Sequence, residues 1–415
     1  MPNLLLPGMK INYFFALCFA AVTSHAQRIC ATYDYVNRQP VARSLNTSVL
    51  QSSSGSIRDT LPGEIITVPV VIHILYNNSV QNISDVQVYS QLDALNKDYR
   101  RLNNIQNIPA AFASISADVK IIFCLAKTDP AGKTTTGIIR KYTQAAAWQA
   151  DDKMKFSAAL GDDAWDSKRY LNIWVCNLFG RNLGYSSLPG GPSDKDGIVI
   201  QYDAFGTAGT VSAPFNNGRT ATHEIGHWLG LKHLWGDDLC GDDLIDDTPP
   251  QKSYNNGCPS FPHVTSCSKN ADGDMFMNFM DFTDDECMSM FTIGQKNKMR
   301  GMFAVGEPRN SLLNSSACNE AVPSAGPLET DTVNHSTLIS LYPNPAKDFI
   351  NIKSENGSSL IGKTLTIYDV LGKELKTLKL TSQKQVISVS NFSPGIYLVK
   401  IGEGRAGKIM RFIKQ

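Results

Sequence analysis

The run His223-Glu-Ile-Gly-His227-Trp-Leu-Gly230-Leu-Lys-His233 gathers three imidazoles and a carboxylate into one short stretch. On a helix, positions i and i+4 share a face, so His223 and His227 can hold one metal ion together. Glu224 sits beside them, placed to take a proton from water activated at that ion. A straight helix cannot bring a third histidine to the same point. Gly230 can end the helix with a positive φ, turning the chain so that His233 approaches from below. Three nitrogen ligands that leave a fourth position open are the arrangement of a catalytic zinc, with expected Zn–N distances of about 2.0–2.1 Å.

The glycine and the third histidine extend a bare His-Glu-x-x-His pattern into the metzincin signature. Downstream, Asn278-Phe-Met280-Asp-Phe-Thr-Asp-Asp-Glu286-Cys287-Met-Ser-Met-Phe291-Thr resembles the Met-turn region of the pappalysin metalloproteases. That resemblance implies a secreted zinc endopeptidase with Glu224 as general base and Met280 as the apolar base beneath the metal. It also implies a preference for Arg or Lys immediately after the scissile bond. Arginine-preferring members carry an acid beside the last disulfide cysteine at the pocket base, and here that position is Glu286. One residue departs from the pattern: the family usually has a tyrosine two residues after the Met-turn methionine, and this chain has Phe282. Either another group supplies the missing hydroxyl or turnover is reduced. Phe282 is also the one feature favouring a different class of function, a weak or inactive metzincin acting as a surface adhesin.

Ile65–Leu75 is a β-branched run expected as a buried strand, with His73 as a satisfied core residue. Ser84-Asp-Val-Gln87 reads as a capping box opening a helix to about Arg100. Further strands are expected near Val119–Ala126, Tyr170–Leu178 and Gly197–Tyr202, ahead of the zinc helix. This is an α/β layout, and it suits a metzincin domain: a twisted, mostly parallel sheet, then a loop-rich, disulfide-bonded C-terminal subdomain after Gly230.

Lys10, the apolar run from Ile11 to Val22 and the small residues up to Ala26 read as a signal peptide over residues 1–26. The run is short for a membrane span, and no transmembrane segment is expected in the mature protein. The remaining cysteines then enter an oxidising compartment. Cys240, Cys258, Cys267 and Cys287 allow three pairings, and the pappalysin resemblance implies Cys240–Cys267 and Cys258–Cys287. Cys124, Cys176 and Cys318 stay unassigned. Residues 27–57 are polar and irregular, and are expected as a propeptide. Arg28-Ile-Cys30-Ala-Thr resembles the propeptide cysteine motif of latent pappalysins, which implies that Cys30 is a cysteine switch on the zinc. The competing reading pairs Cys30 in a disulfide, for instance with Cys318. Ile57-Arg58 is the expected activation point, and it presents an arginine after the bond to be cut, so self-activation follows.

Cys240-Gly-Asp-Asp243-Leu-Ile-Asp246-Asp247-Thr248-Pro-Pro is either a solvated acidic turn or a structural calcium loop. The family binds calcium at the matching loop, which implies Asp243, Asp246 and Thr248 as ligands.

A catalytic domain over residues 58–318 is followed by a Pro-, Ser- and Thr-containing linker at 319–335. Residues 336–415 show short alternating strands at regular spacing with Gly and Asn turns, hence a small all-β sandwich. Segments such as Leu341-Tyr-Pro-Asn-Pro-Ala346 and Gly395-Ile-Tyr-Leu-Val-Lys-Ile401 closely resemble the C-terminal sorting domain of the type IX secretion system. That implies export through the periplasm of a Gram-negative bacterium, to the medium or the cell surface, with the secretion machinery as partner. At 415 residues, 42% hydrophobic and 19% charged, the chain can bury a sizeable core. A net charge of +1 without a basic run argues against nucleic acid as a partner.

Overall fold

The computed structural model describes residues 28–38, 63–103, 105–269, 271–319, 339–343, 346–354, 359–369, 373–402 and 408–414. The expected signal peptide, the Ile57-Arg58 activation point and nearly all of the linker lie outside the described residues.

Strand β1 (Ile66–Tyr76) is the spine of the first sheet. It is long enough to pair on one edge with two successive strands, β2 (Ile121–Leu125) on its first half and β3 (Ile138–Tyr142) on its second, both parallel. On its other edge run β4 (Leu171–Cys176) and then β6 (Ile198–Gln201), also parallel. The short edge strand β5 (Gly184–Ser186) closes that side antiparallel to β6. β1 and β4 are buried on both faces, which is why they read as continuous apolar runs rather than alternating ones. His73 is buried in β1 between Asp162 at 2.7 Å and Asn172 at 3.1 Å, and it stacks on Trp174.

Helix α1 (Thr32–Arg38) belongs to the N-terminal segment, and α2 (Asp85–Tyr99) covers one face of the sheet. Ser84 caps α2 by accepting from Gln87 N–H, as expected, but the reciprocal half of the box is absent. The Gln87 amide instead donates to the carbonyls of Tyr202 and Phe205, tying α2 to the loop that leads to the site helix. A complete capping box occurs elsewhere, at Thr292 and Gln295 on helix α4 (Ile293–Gly301). Helix α3 (Arg219–Trp228) carries the histidine motif and packs against α2. Tyr99 donates to Thr222 O at 3.1 Å, and Asp98 accepts from Thr222 Oγ1 at 2.7 Å while pairing with Arg219. A buried carboxylate left unpaired would be costly, so this cluster fixes the start of α3.

After α3 the chain has little regular structure and is held by disulfides Cys240–Cys267 and Cys258–Cys287. A third disulfide, Cys124–Cys318, ties the end of this region to β2. Cys318 is therefore not the partner of Cys30, which is free, as is the buried Cys176.

Residues 339–414 form two further sheets. One has the order β10 (Glu374–Lys379), β9 (Thr364–Asp369), β12 (Gly395–Ile401), β13 (Lys408–Lys414). The other has β11 (Lys384–Ser388), β8 (Phe349–Ser354), β7 (Ile339–Tyr342). Ile350, Ile352 and Ile387 from the second meet Leu365, Ile367, Val399 and Phe412 from the first in one apolar cluster. Two sheets that share one apolar cluster make a sandwich. Among the described residues no helix is long and apolar enough to cross a membrane.

Candidate active site

Helix α3 presents His223 and His227 one turn apart, and both are buried. The helix stops because Gly230 takes φ 86°, a conformation that favours glycine. Gly230 N–H then returns to His227 O at 2.8 Å and Leu231 N–H to Gly226 O at 3.0 Å. This Schellman-type ending satisfies the last carbonyls and reverses the chain, so that His233 reaches the same point.

The three Nε2 atoms lie 3.0, 3.1 and 3.2 Å from one another. Each Nδ1 is already committed: His223 to Phe279 O at 2.7 Å, His227 to Leu231 O at 2.9 Å, and His233 to the Asp237 carboxylate. Donation through Nδ1 leaves each Nε2 as a bare lone pair, so the short Nε2 separations are not hydrogen bonds. Burial, then the neighbouring imidazoles, holds His223 well below its ordinary pKa and His227 down at about 3. Three neutral lone pairs converging in a buried site are the donor set of a tetrahedral cation. Nitrogens about 2.0–2.1 Å from one ion at tetrahedral angles would stand roughly 3.3 Å apart. The residues present therefore fit zinc.

Met280 is fully buried against α3, and its N–H is held by Asn278 Oδ1 at 2.9 Å. Gly226 of α3 makes room for it: a Cβ there would lie 2.5 Å from Met280 Sδ. Gly226→Ala should therefore lower stability by about 1–3 kcal/mol through overpacking. That outweighs the roughly 0.5–1 kcal/mol that alanine gains over glycine inside a helix. A melting temperature at or above wild type would contradict this packing. Phe282 packs against His233 (4.9 Å), Trp235 (4.9 Å) and Tyr254 (5.3 Å), so the phenol of this aromatic wall is that of Tyr254.

Glu224 is buried beside the triad, and burial pushes its carboxyl up to about 7. Edge strand β5 passes so close that a Cβ on Gly184 would meet Glu224 Cγ at 3.0 Å.

The N-terminal segment lies in this cleft. Cys30 bridges Gly184 in the parallel sense, with Leu183 N–H on Ile29 O at 2.9 Å and Ala31 N–H on Gly184 O at 3.0 Å. The Cys30 sulfur and the three histidine nitrogens all lie within 4.8 Å of one another. Thr32 Oγ1 donates to Glu224 Oε2 at 2.9 Å, and Ser186 N–H donates to Thr32 Oγ1 at 2.9 Å.

Two residues before Cys30, Arg28 is buried against Asp285. Its guanidinium also reaches Thr220 Oγ1 and Thr283 O, and lies 5.0 Å from the centroid of the Phe215 ring. Asp285 Oδ2 in turn accepts from the N–H groups of Asn217 (2.8 Å) and Arg219 (3.2 Å) at the start of α3. Glu286, expected at the base of the specificity pocket, is exposed, with Oε1 3.5 Å from Cys258 Sγ, and its neighbour Asp285 is the acid that is buried and paired with Arg28. Glu286, Cys258 and Cys287 also form an apparent metal cluster, but its two sulfurs are joined in a disulfide.

In the acidic loop, Asp243 is buried and Asp246 is exposed. Thr248 Oγ1 donates to Asp243 Oδ1 at 2.7 Å, while Asp243 Oδ2 is buried with no hydrogen-bond partner. Burial pushes Asp243 up to about 7.

A mostly parallel sheet with one antiparallel edge strand, over a helix bearing three converging imidazoles and a carboxylate, defines a metalloendopeptidase of the metzincin type. The chain belongs to the pregnancy-associated plasma protein-A family, which residues 155–304 match, and residues 340–415 match the secretion system C-terminal sorting domain. An extracellular metalloprotease of Verticillium alfalfae is 29% identical over 71% of this chain and 98% of its own length. One from Pyricularia oryzae is 32% identical over 58% and 75%. The structure of mirolysin in complex with compound 9 is 48% identical with a TM-score of 0.60, covering 62% of this chain and 99% of that one. A Tannerella forsythia promirolysin mutant is 42% identical with a TM-score of 0.65, covering 69% and 97%. The protein is thus a metalloprotease exported from a Gram-negative bacterium by the type IX route.

Proposed function

We propose that the protein is a latent zinc endopeptidase that cuts before arginine or lysine, and that residues 28–38 hold it inactive. One observation carries this reading: Cys30 faces the histidine triad while Arg28, two residues away, fills a buried pocket based on Asp285. A guanidinium in a carboxylate-based pocket is what an arginine-preferring enzyme offers its substrate.

His223, His227 and His233 would hold the ion, and bound zinc supplies Lewis acidity to the scissile carbonyl and to water. Glu224 takes the proton from the attacking water and passes it to the leaving amine. Phe279 O, Leu231 O and Asp237 keep the imidazoles in the tautomer that offers Nε2. Asp285 orients the residue after the scissile bond. In the latent chain the Cys30 sulfur would take the place of water at a bound ion, and Thr32 occupies Glu224.

The segment lies parallel to β5 with its arginine before the metal-facing residue. A substrate with arginine after the cut must lie the other way, antiparallel to β5. The segment therefore occupies the pocket and the metal without offering a bond in the productive direction. Residues 1–26 are proposed as signal peptide, 27–57 as propeptide, 58–318 as catalytic domain, 319–335 as linker and 336–415 as sorting domain. Cleavage at Ile57-Arg58 is proposed as self-activation.

Cys30→Ala should cleave casein before any N-terminal processing, while the unprocessed wild type should not. Full latency in Cys30→Ala would remove the switch and leave the protease assignment in place.

Asp243, Asp246 and Thr248 are proposed to hold a structural calcium, supported by the unpartnered buried Oδ2 of Asp243. Chelation selective for calcium should lower the melting temperature by about 5 °C or more with zinc retained, and Asp243→Asn should remove that response. An unchanged melting temperature in the wild type would count against the ion.

A further inference from the structure

Tyr35 of α1, five residues after Cys30 where Arg28 is two before it, is buried in a recess built by the catalytic part of the chain. Its ring lies 4.8 Å from Tyr185 of β5, and its hydroxyl donates to Asp152 Oδ2 at 2.7 Å. Asp152 also accepts from Tyr185 at 3.3 Å and pairs with the buried Lys155 at 2.9 Å. Lys155 Nζ donates to Lys195 O at 2.8 Å and lies 5.1–5.5 Å from the ring centroids of Tyr35, Trp174 and Tyr185. Asp152 adopts φ 67°, an uncommon conformation for a residue other than glycine.

We propose that this recess is a substrate subsite for a tyrosine upstream of the scissile bond, and that Tyr35 fills it only in the latent chain. The inference rests on the reading of Asp285 as the pocket for the residue after that bond. Every wall of the recess except Tyr35 belongs to residues that stay when the segment leaves. Its departure uncovers a paired cation and carboxylate and an aromatic floor, and removes one hydrogen bond from Asp152. A phenol restores all of these contacts at once, because its ring covers the Lys155 cation and its hydroxyl meets the carboxylate.

The distance along the cleft sets the position. From Cys30 the segment takes two extended steps and then three helical ones, about 11 Å in all. An extended peptide covers that in roughly three residues. Because the substrate runs opposite to the segment, those residues precede the cut.

The test uses the processed enzyme and fluorogenic peptides with Arg after the scissile bond, scanning Tyr, Phe and Ala through the second to fourth positions before it. At one position, Tyr should raise kcat/KM about tenfold or more over Ala, and severalfold over Phe through the carboxylate contact. Equal rates for Tyr, Phe and Ala, with cleavage still lost when Arg is exchanged for Ala, would overturn the subsite alone. Phe matching Tyr would overturn recognition of the phenol by Asp152. Failure to cut any Arg peptide would overturn the pocket reading and the subsite with it.

Discussion

Glu224→Ala is expected to lower kcat by about 10²–10⁴-fold or more, the range for removing a general acid–base group. The loss should be catalytic rather than structural. Glu224 touches none of the imidazole-orienting groups, and the carbonyls of Phe279 and Leu231 and the Asp237 carboxylate hold the triad without it. Zinc content, measured by mass spectrometry of metals, should therefore stay at one per chain while casein cleavage disappears. The hydrogen bond from Thr32 is lost in the same variant, so the N-terminal segment should bind somewhat less tightly without restoring activity. If activation is self-cleavage, this variant also keeps its full N-terminus when purified without other proteases. Equal cleavage by wild type and Glu224→Ala would mean the proton is handled elsewhere. No cleavage by a fully processed wild type would instead favour the adhesin.

Asp285→Asn should reduce kcat/KM for a peptide with Arg after the scissile bond by about 10²–10³-fold, the scale for removing one partner of a buried ion pair. A matched peptide with Ala at that position should change far less. The substitution keeps the volume and one carbonyl acceptor, so the N–H groups of Asn217 and Arg219 retain a partner and α3 can still start in place. Glu286→Gln should leave the Arg preference intact, because that side chain is exposed. The reverse pattern would return the pocket to Glu286.

That one-residue difference shows where the sequence stopped being informative. The zinc site was legible because a helix has a period: His223 and His227 must share a face, and Gly230 is the residue that can reverse the chain. Met280 was reachable only through resemblance, and its packing against Gly226 lies in no local pattern. Residues 281–287 form a loop without a period, so nothing local says which of Asp284, Asp285 and Glu286 points inward. The choice is made by Asn217, Arg219 and Arg28, the last of them 257 positions away.

The main strands were readable as apolar runs because both faces are buried. β3 and β5 were not, β5 being a three-residue edge strand with a glycine. At Ser84 the sequence suggested a complete capping box, but the Gln87 amide found better-placed carbonyls in the loop before α3. Cys124 and Cys318 pair across a separation of 194 residues, which spacing alone could not assign.

The central claim is that a zinc-dependent site selects a basic residue just after the bond it cuts. Its most direct test is to digest casein with the processed wild-type enzyme and sequence the new N-termini of the products. The account predicts that they begin with Arg or Lys, and that a zinc chelator stops their formation. Product termini without a basic residue, or cleavage that survives removal of zinc, would contradict it.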